Sequence, residues 1–328
     1  MNEERPDPLR FPAWLQEFAA AYDTRGNPIS GRTIELDADP ETVHWAFVLH
    51  EDVRRPGTDA AERRAAYGAV ISLAGGQYAV HGFEFPEESY GEAFIAAWGD
   101  LTGDGAGDIV WGSVSVGAHT AWASYTVSTW SGGELQAVRG TAEMPNAGGA
   151  AVTEDGKLRI TGGLIGSAGA GPWQREYTDE YVVADHALVW TDRAFSASPT
   201  SYHRLLDALW AEELGQTEKA KRLFSEAAGM EDESYAGYSF ETADGIAEGG
   251  TDPDLERRFG EAVRAFSRFR LALLEERAKG ASADAACAAA KRAAGFDPGW
   301  LPLLNAPFGY ANPKWDEASA CAPIGGLA

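Results

Sequence analysis

Two periodicities divide the chain. Up to about residue 195, apolar and polar residues alternate in short runs separated by glycine, asparagine and proline, which is the two-residue period of strands with one buried face. Beyond Pro199 apolar residues recur every three or four positions, the period of helices packed along one side.

In the first part Val43 to Leu49 reads as a strand. Further strands are predicted over Tyr67 to Ala74, Gln77 to Phe85, Glu92 to Trp98, Asp108 to Val116, Ser124 to Ser131, Glu134 to Gly140, Leu158 to Gly163, Glu176 to Val183 and Ala187 to Thr191. The joints Ala74-Gly75-Gly76-Gln77, Ser131-Gly132-Gly133-Glu134 and Asp155-Gly156 have the short form that links antiparallel neighbours, so a meander is expected. A polar insertion, Glu51 to Arg64, reads as a surface loop or short helix. Asn146 to Val152 and Gly166 to Gly171 read as flexible loops, because their glycines do not follow the order of a dinucleotide-binding turn. An N-terminal helix is predicted from Pro12 to Tyr22, with Trp14, Leu15, Phe18 and Tyr22 on one face.

After Pro199, Tyr202, Leu205, Leu206, Leu209 and Trp210 mark one helix and Ala220, Leu223, Phe224 and Ala227 a second, with a break at Gly215. Together they form a helical hairpin. A long helix follows from Pro253 to Lys279, stopped by Gly280, and another from Ser282 to Ala294, capped by Ser282 and stopped by Gly295. The tail from Phe296 mixes Trp300, Phe308, Tyr310 and Trp315 with five prolines, which predicts an extended strap. The expected fold class is α+β: an antiparallel β-rich region over 1–195 with one calcium-type hairpin loop, a helical hairpin domain over 196–295, and an aromatic, proline-rich strap over 296–328.

Composition narrows the function. The 328 residues carry 50 acidic against 27 basic side chains, a net charge of −23, which repels phosphate backbones and excludes nucleic acid as an expected partner. No apolar stretch reaches the roughly 20 residues of a membrane span. The polar, proline-bearing opening reads as the linker that follows a removed signal or lipid anchor, so an extracytoplasmic location is expected. The two cysteines, Cys287 and Cys321, fit either one bridge or two separate buried thiols.

One segment carries recognisable chemistry. Asp100-Leu101-Thr102-Gly103-Asp104-Gly105-Ala106-Gly107-Asp108 lies between two predicted strands. Calcium takes six to eight oxygens, which a short loop supplies when acids alternate along it and glycine permits the turn. Asp100, Thr102 and Asp104 hold positions one, three and five, Gly105 the turn, Ala106 a backbone carbonyl at seven, and Asp108 position nine. Position twelve is Trp111, so the bidentate glutamate of an EF-hand is missing, and the flanks are strands. The segment with its following Ile109-Val110-Trp111 resembles the calcium loop of FG-GAP or VCBS-type repeats, found in propellers and secreted bacterial proteins. That resemblance implies Asp100, Thr102, Asp104, Ala106 and Asp108 as ligands of a structural calcium ion. It covers one repeat, too few for a propeller. Leu214 to Ala227 resembles the end of a tetratricopeptide repeat through Gly215, Ala220, Phe224 and Ala227, which implies a helical packing unit able to meet a protein partner.

Metal-protease, P-loop, Cys-x-x-Cys and nucleophile-elbow motifs are absent from the sequence. His119 and His203 read as structural histidines. The leading expectation is a calcium-stabilised, non-catalytic extracytoplasmic binding or envelope-associated protein, with an envelope component or glycan as partner. A secreted polysaccharide hydrolase using an unidentified carboxylate pair, and a peptide-binding adaptor acting through the helices, are the alternatives. A cleft lined by two carboxylates would mark the hydrolase, and an exposed concave apolar groove on the helices would mark the adaptor.

Overall fold

The structure, a computed structural model, describes residues 30–36, 42–54, 61–84, 92–167, 169–171, 174–231, 234–242 and 245–322. The helix expected over Pro12 to Tyr22 lies outside them. Antiparallel sheets occupy the first part of the chain and helices the second, an α+β fold. Contacts divide the described residues into two units, the first running through Gly163 and including Thr178–Thr191, the second comprising Leu164–Tyr177 and the residues from Asp192 onward.

In the first unit, β1 (Ser30–Ile34), β2 (Val43–Arg54), β3 (Ala61–Ala74) and β4 (Gln77–Glu84) form a four-stranded meander. A second sheet joins β5 (Glu92–Gly99), β6 (Asp108–Val116), β7 (Ala121–Ser131) and β8 (Glu134–Ala137), with β9 (Ala142–Pro145) paired to the other end of β7. A third follows the order β10 (Gly149–Val152), β11 (Leu158–Gly162), β12 (Tyr177–Ala184) and β13 (Ala187–Phe195). The Gly75-Gly76 and Gly132-Gly133 turns place both glycines at positive φ, the geometry that matches the twist of the strands they join.

Burial explains why the first two sheets pair face to face. Ile34, Leu36, Ala46, Val48 and Val70 from one side meet Ala93, Ile95, Ile109, Trp111 and Trp130 from the other. Trp111 is fully buried, stacks on Phe83 with ring centroids 5.2 Å apart, and donates its indole N–H to Ser128 Oγ at 2.8 Å. Gly68 makes room for that ring, since a Cβ there would stand 2.8 Å from it.

Two loop expectations are corrected. Glu51 to Arg64 is not a surface loop or helix over its length: β2 continues to Arg54 and β3 begins at Ala61, in register from Val43↔Leu73 out to Val53↔Arg63. Backbone pairing carried outward from the apolar centre overrides the polar composition there. Within Asn146 to Val152, residues Gly149–Val152 form β10 against β11. Small residues with weak strand preference are held by the neighbouring ladder.

The second unit contains α1 (Ser201–Glu213), α2 (Thr217–Gly229), α3 (Pro253–Ala278), α4 (Ala283–Ala294) and the short α5 (Leu301–Leu304), with a small hairpin, β14 (Ser239–Thr242) and β15 (Gly245–Glu248). Thr200 caps α1 by accepting from His203 N, and Ser282 caps α4 by accepting from Ala285 N. Tyr202, Leu205, Leu209, Phe224, Phe259 and Phe266 share one core with Phe296, Leu304 and Trp315 of the tail. The strap is not wholly extended: Pro298–Trp300 and Ser319–Cys321 form 3-10 turns on either side of α5 and an irregular stretch. Of the two readings of the cysteines the bridge is the one formed, joining Cys287 on α4 to Cys321 in the tail.

Candidate metal centre

The Asp100–Asp108 segment closes the β5–β6 hairpin, whose last pair before the loop is Gly99↔Asp108. Both flanks are strands, so the acids are presented by a hairpin rather than by a helix pair. The turn requires left-handed backbone at Gly103 and Gly105, with φ of 74° and 84°, which glycine adopts without steric cost. Leu101 is buried and plugs the loop into the core, while Thr102 and Asp104 are exposed.

The loop's own amides hold its carboxylates. Asp100 accepts from Gly103 N at 2.6 Å through one oxygen and from Gly105 N at 3.0 Å through the other. Asp104 Oδ1 accepts from Ala106 N at 2.8 Å. Asp108 turns back across the loop, and its Oδ2 accepts from Leu101 N at 2.7 Å, Thr102 N at 3.0 Å and the Thr102 hydroxyl at 3.3 Å.

Asp108 is the unusual member. It is fully buried, yet among the described residues its Oδ1 has no hydrogen-bond partner. Burial pushes its carboxyl up to about 6, opposed by the amides of Leu101 and Thr102 and reinforced by the nearby charge of Asp104. No basic side chain among the described residues forms an ion pair with Asp100, Asp104 or Asp108. A buried carboxylate oxygen with neither a donor nor a counter-charge is costly, and it is relieved by a proton or a cation.

The five residues expected to ligate therefore share one loop, but they do so unequally. Asp100, Asp104 and Asp108 supply carboxylates, Thr102 supplies a hydroxyl already donated to Asp108, and Ala106 enters the network through its N–H. Among the described residues, no three acidic, histidine or cysteine side chains converge as a ready-made metal cage. The donor set is nonetheless all oxygen, the chemistry a hard divalent cation selects.

Two features escaped sequence reasoning. Gly107 N donates to Leu36 O at 2.9 Å, and a Cβ on Gly107 would stand 2.2 Å from Glu35 O. A remote segment thus crosses the loop where the motif has a glycine, and the glycine itself was the only signal. On the other side, a Cβ on Gly156 in the β10–β11 turn would lie 3.1 Å from Asp100 O. His119 is exposed, and His203 is buried at the start of α1, with Nδ1 2.6 Å from Ser198 Oγ and Nε2 3.2 Å from the Tyr238 hydroxyl.

No protein-family model matches the chain, and no curated protein sequence matches it.

Proposed function

We propose that the protein is a non-catalytic, extracytoplasmic binding or envelope-associated protein whose Asp100–Asp108 loop takes a structural calcium ion. The observation that carries this reading is Asp108, buried with one carboxylate oxygen that has no hydrogen-bond partner among the described residues, in a loop of three acids with which none of those residues forms an ion pair. Asp100, Asp104 and Asp108 would hold the ion with Thr102 and the Ala106 carbonyl. The ion would supply the positive charge that the loop itself lacks and would tie β5 to β6 beside Trp111. The Cys287–Cys321 bridge supports the location, because disulfides persist mainly outside the reducing cytoplasm.

Calorimetric titration of the chelator-stripped chain with calcium tests this, together with melting curves of the wild type and Asp104→Ala. The expected result is one calcium per chain and a higher melting temperature with calcium, both lost in the variant. No heat and no shift in the wild type would reduce the segment to an Asp/Gly-rich turn.

A further inference from the structure

Both cysteines of the Cys287–Cys321 bridge are partly exposed. They line a cleft of about 520 Å³ together with Arg277 of α3, Asp284 and Lys291 of α4, and Glu317 of the tail. The chain has two cysteines in all, so within it each can pair only with the other. A bridge that acts only by constraining the unfolded chain gains nothing from such access.

The bridge is not what alone holds Cys321 in place. Arg270 Nη1 donates to Ala320 O at 2.8 Å and to Ala322 O at 2.6 Å, and Arg277 Nη2 donates to Cys321 O at 2.6 Å. Three consecutive carbonyls are thus clamped from α3. Arg270 is 1% exposed and meets Glu212 through its other terminal nitrogen, so loss of those carbonyls would leave a buried donor unmatched. The amides of Ala320, Cys321 and Ala322 are spent within the same turn, on the carbonyls of Asp316, Ala318 and Ser319. Lys291 adds an ion pair to Glu317 at 3.4 Å. On the opposite side Cys287 is carried by α4, whose Ala286 and Ala290 are fully buried in the core. The two Cα atoms stand 5.7 Å apart, held there by packing and hydrogen bonds that an open bridge would leave in place.

We infer that Cys287 and Cys321 are a redox-active pair, opened and re-formed by a dithiol partner while the tail stays docked. The inference is independent of the calcium loop. A thiolate of the partner attacks Cys321 Sγ, the bond between the two cysteine sulfurs breaks, and its electron pair leaves on Cys287 Sγ. The partner's second thiolate then attacks the partner's own sulfur in the mixed disulfide and releases Cys321 as a thiolate. The pair gains two electrons and two protons, and the dithiol becomes a disulfide. Lys291, one turn beyond Cys287 on α4 and lining the same cleft, supplies a cation for the departing thiolate.

The experiment exposes the oxidised full chain to graded dithiothreitol at neutral pH without denaturant. Free thiols are counted by alkylation and mass, and amide exchange is followed in parallel. The rate of opening should rise in proportion to dithiothreitol, while exchange at Ala320, Cys321, Ala322 and along α3 changes by less than about two-fold. Oxidised dithiothreitol should then close the bridge again. Lys291→Gln should slow opening about three-fold. Arg277→Met, which removes one clamp, should lower the equilibrium constant for closure about ten-fold. A rate of opening that ignores dithiothreitol concentration would mean that the sulfurs are reached only through unfolding, and overturns the inference. Loss of protection at Ala320, Cys321 and Ala322 on reduction overturns it too, since the bridge would then be what docks the tail. An unchanged rate in Lys291→Gln overturns the assignment of Cys287 as the leaving sulfur.

Discussion

Gly107 and Gly103 stand four positions apart in one loop and are glycine for different reasons. At Gly107 the backbone of Glu35 and Leu36 passes so close that a Cβ would meet Glu35 O at 2.2 Å, and the N–H is spent on Leu36 O. At Gly103 nothing lies within 4 Å of a Cβ, but φ is 74°. Gly107→Ala should therefore cost about 3 kcal/mol through overpacking and a stretched hydrogen bond. Gly103→Ala should cost only about 1 kcal/mol of backbone strain. Urea unfolding of the two variants in chelator measures the difference, and equal losses would mean that the Glu35–Leu36 crossing does not bear on the loop.

At the scale of elements, α2 is pinned at its start. Gln216 Nε2 donates to Asp192 Oδ1 at 3.0 Å, and Lys219 forms an ion pair with the same carboxylate. Burial raises the Asp192 carboxyl, but the hydrogen bonds from Lys219 and Gln216 outweigh it and leave it below its ordinary value of 3.8. A depressed carboxyl stabilises the fold above its unfolded value and loses that contribution as pH falls through the folded one. The pair is partly exposed, so its worth is on the order of 1 kcal/mol or less. Lys219→Met should flatten the fall of melting temperature between about pH 5 and pH 2 relative to the wild type. Parallel profiles would show that the pair does not contribute to acid unfolding.

For the molecule as a whole, the helical unit is closed by its own tail. Glu212 on α1 is nearly buried and receives Arg270 at 2.5 Å and Arg277 at 2.9 Å, both from α3. The same two arginines donate onward to the carbonyls of Ala320, Ala322 and Cys321. One carboxylate thus pairs with two guanidinium groups, whose remaining N–H groups hold the tail down beside the disulfide through its carbonyls. Glu212→Gln leaves both charges in place without their partner and should cost about 3–5 kcal/mol. Opening the bridge as Cys287→Ser/Cys321→Ser should cost about 3 kcal/mol through loop entropy. Denaturant midpoints compare the two, and a near-neutral Glu212→Gln would leave the bridge and apolar packing as the tail's main restraints. The helices' apolar faces are spent in this core: among the described residues, no large apolar side chain of α1 or α2 is exposed.

What the sequence determined by itself was local. Alternation located most strands, paired glycines located the hairpin turns, and the caps Ser282 and Gly295 bounded α4, because each signal lies within a few residues of the element it controls. The ordering of acids and glycines in Asp100–Asp108 was equally readable as oxygen-rich chemistry. Only tertiary structure decided that Asp108 is buried with an oxygen unpartnered among the described residues, that Glu35 and Leu36 cross Gly107, and that one glutamate joins Arg270 and Arg277. It also decided that Gly149–Val152 is a strand and that the two cysteines meet across 34 residues. These outcomes depend on partners far along the chain, and neither composition nor periodicity records which distant backbone or charge will arrive.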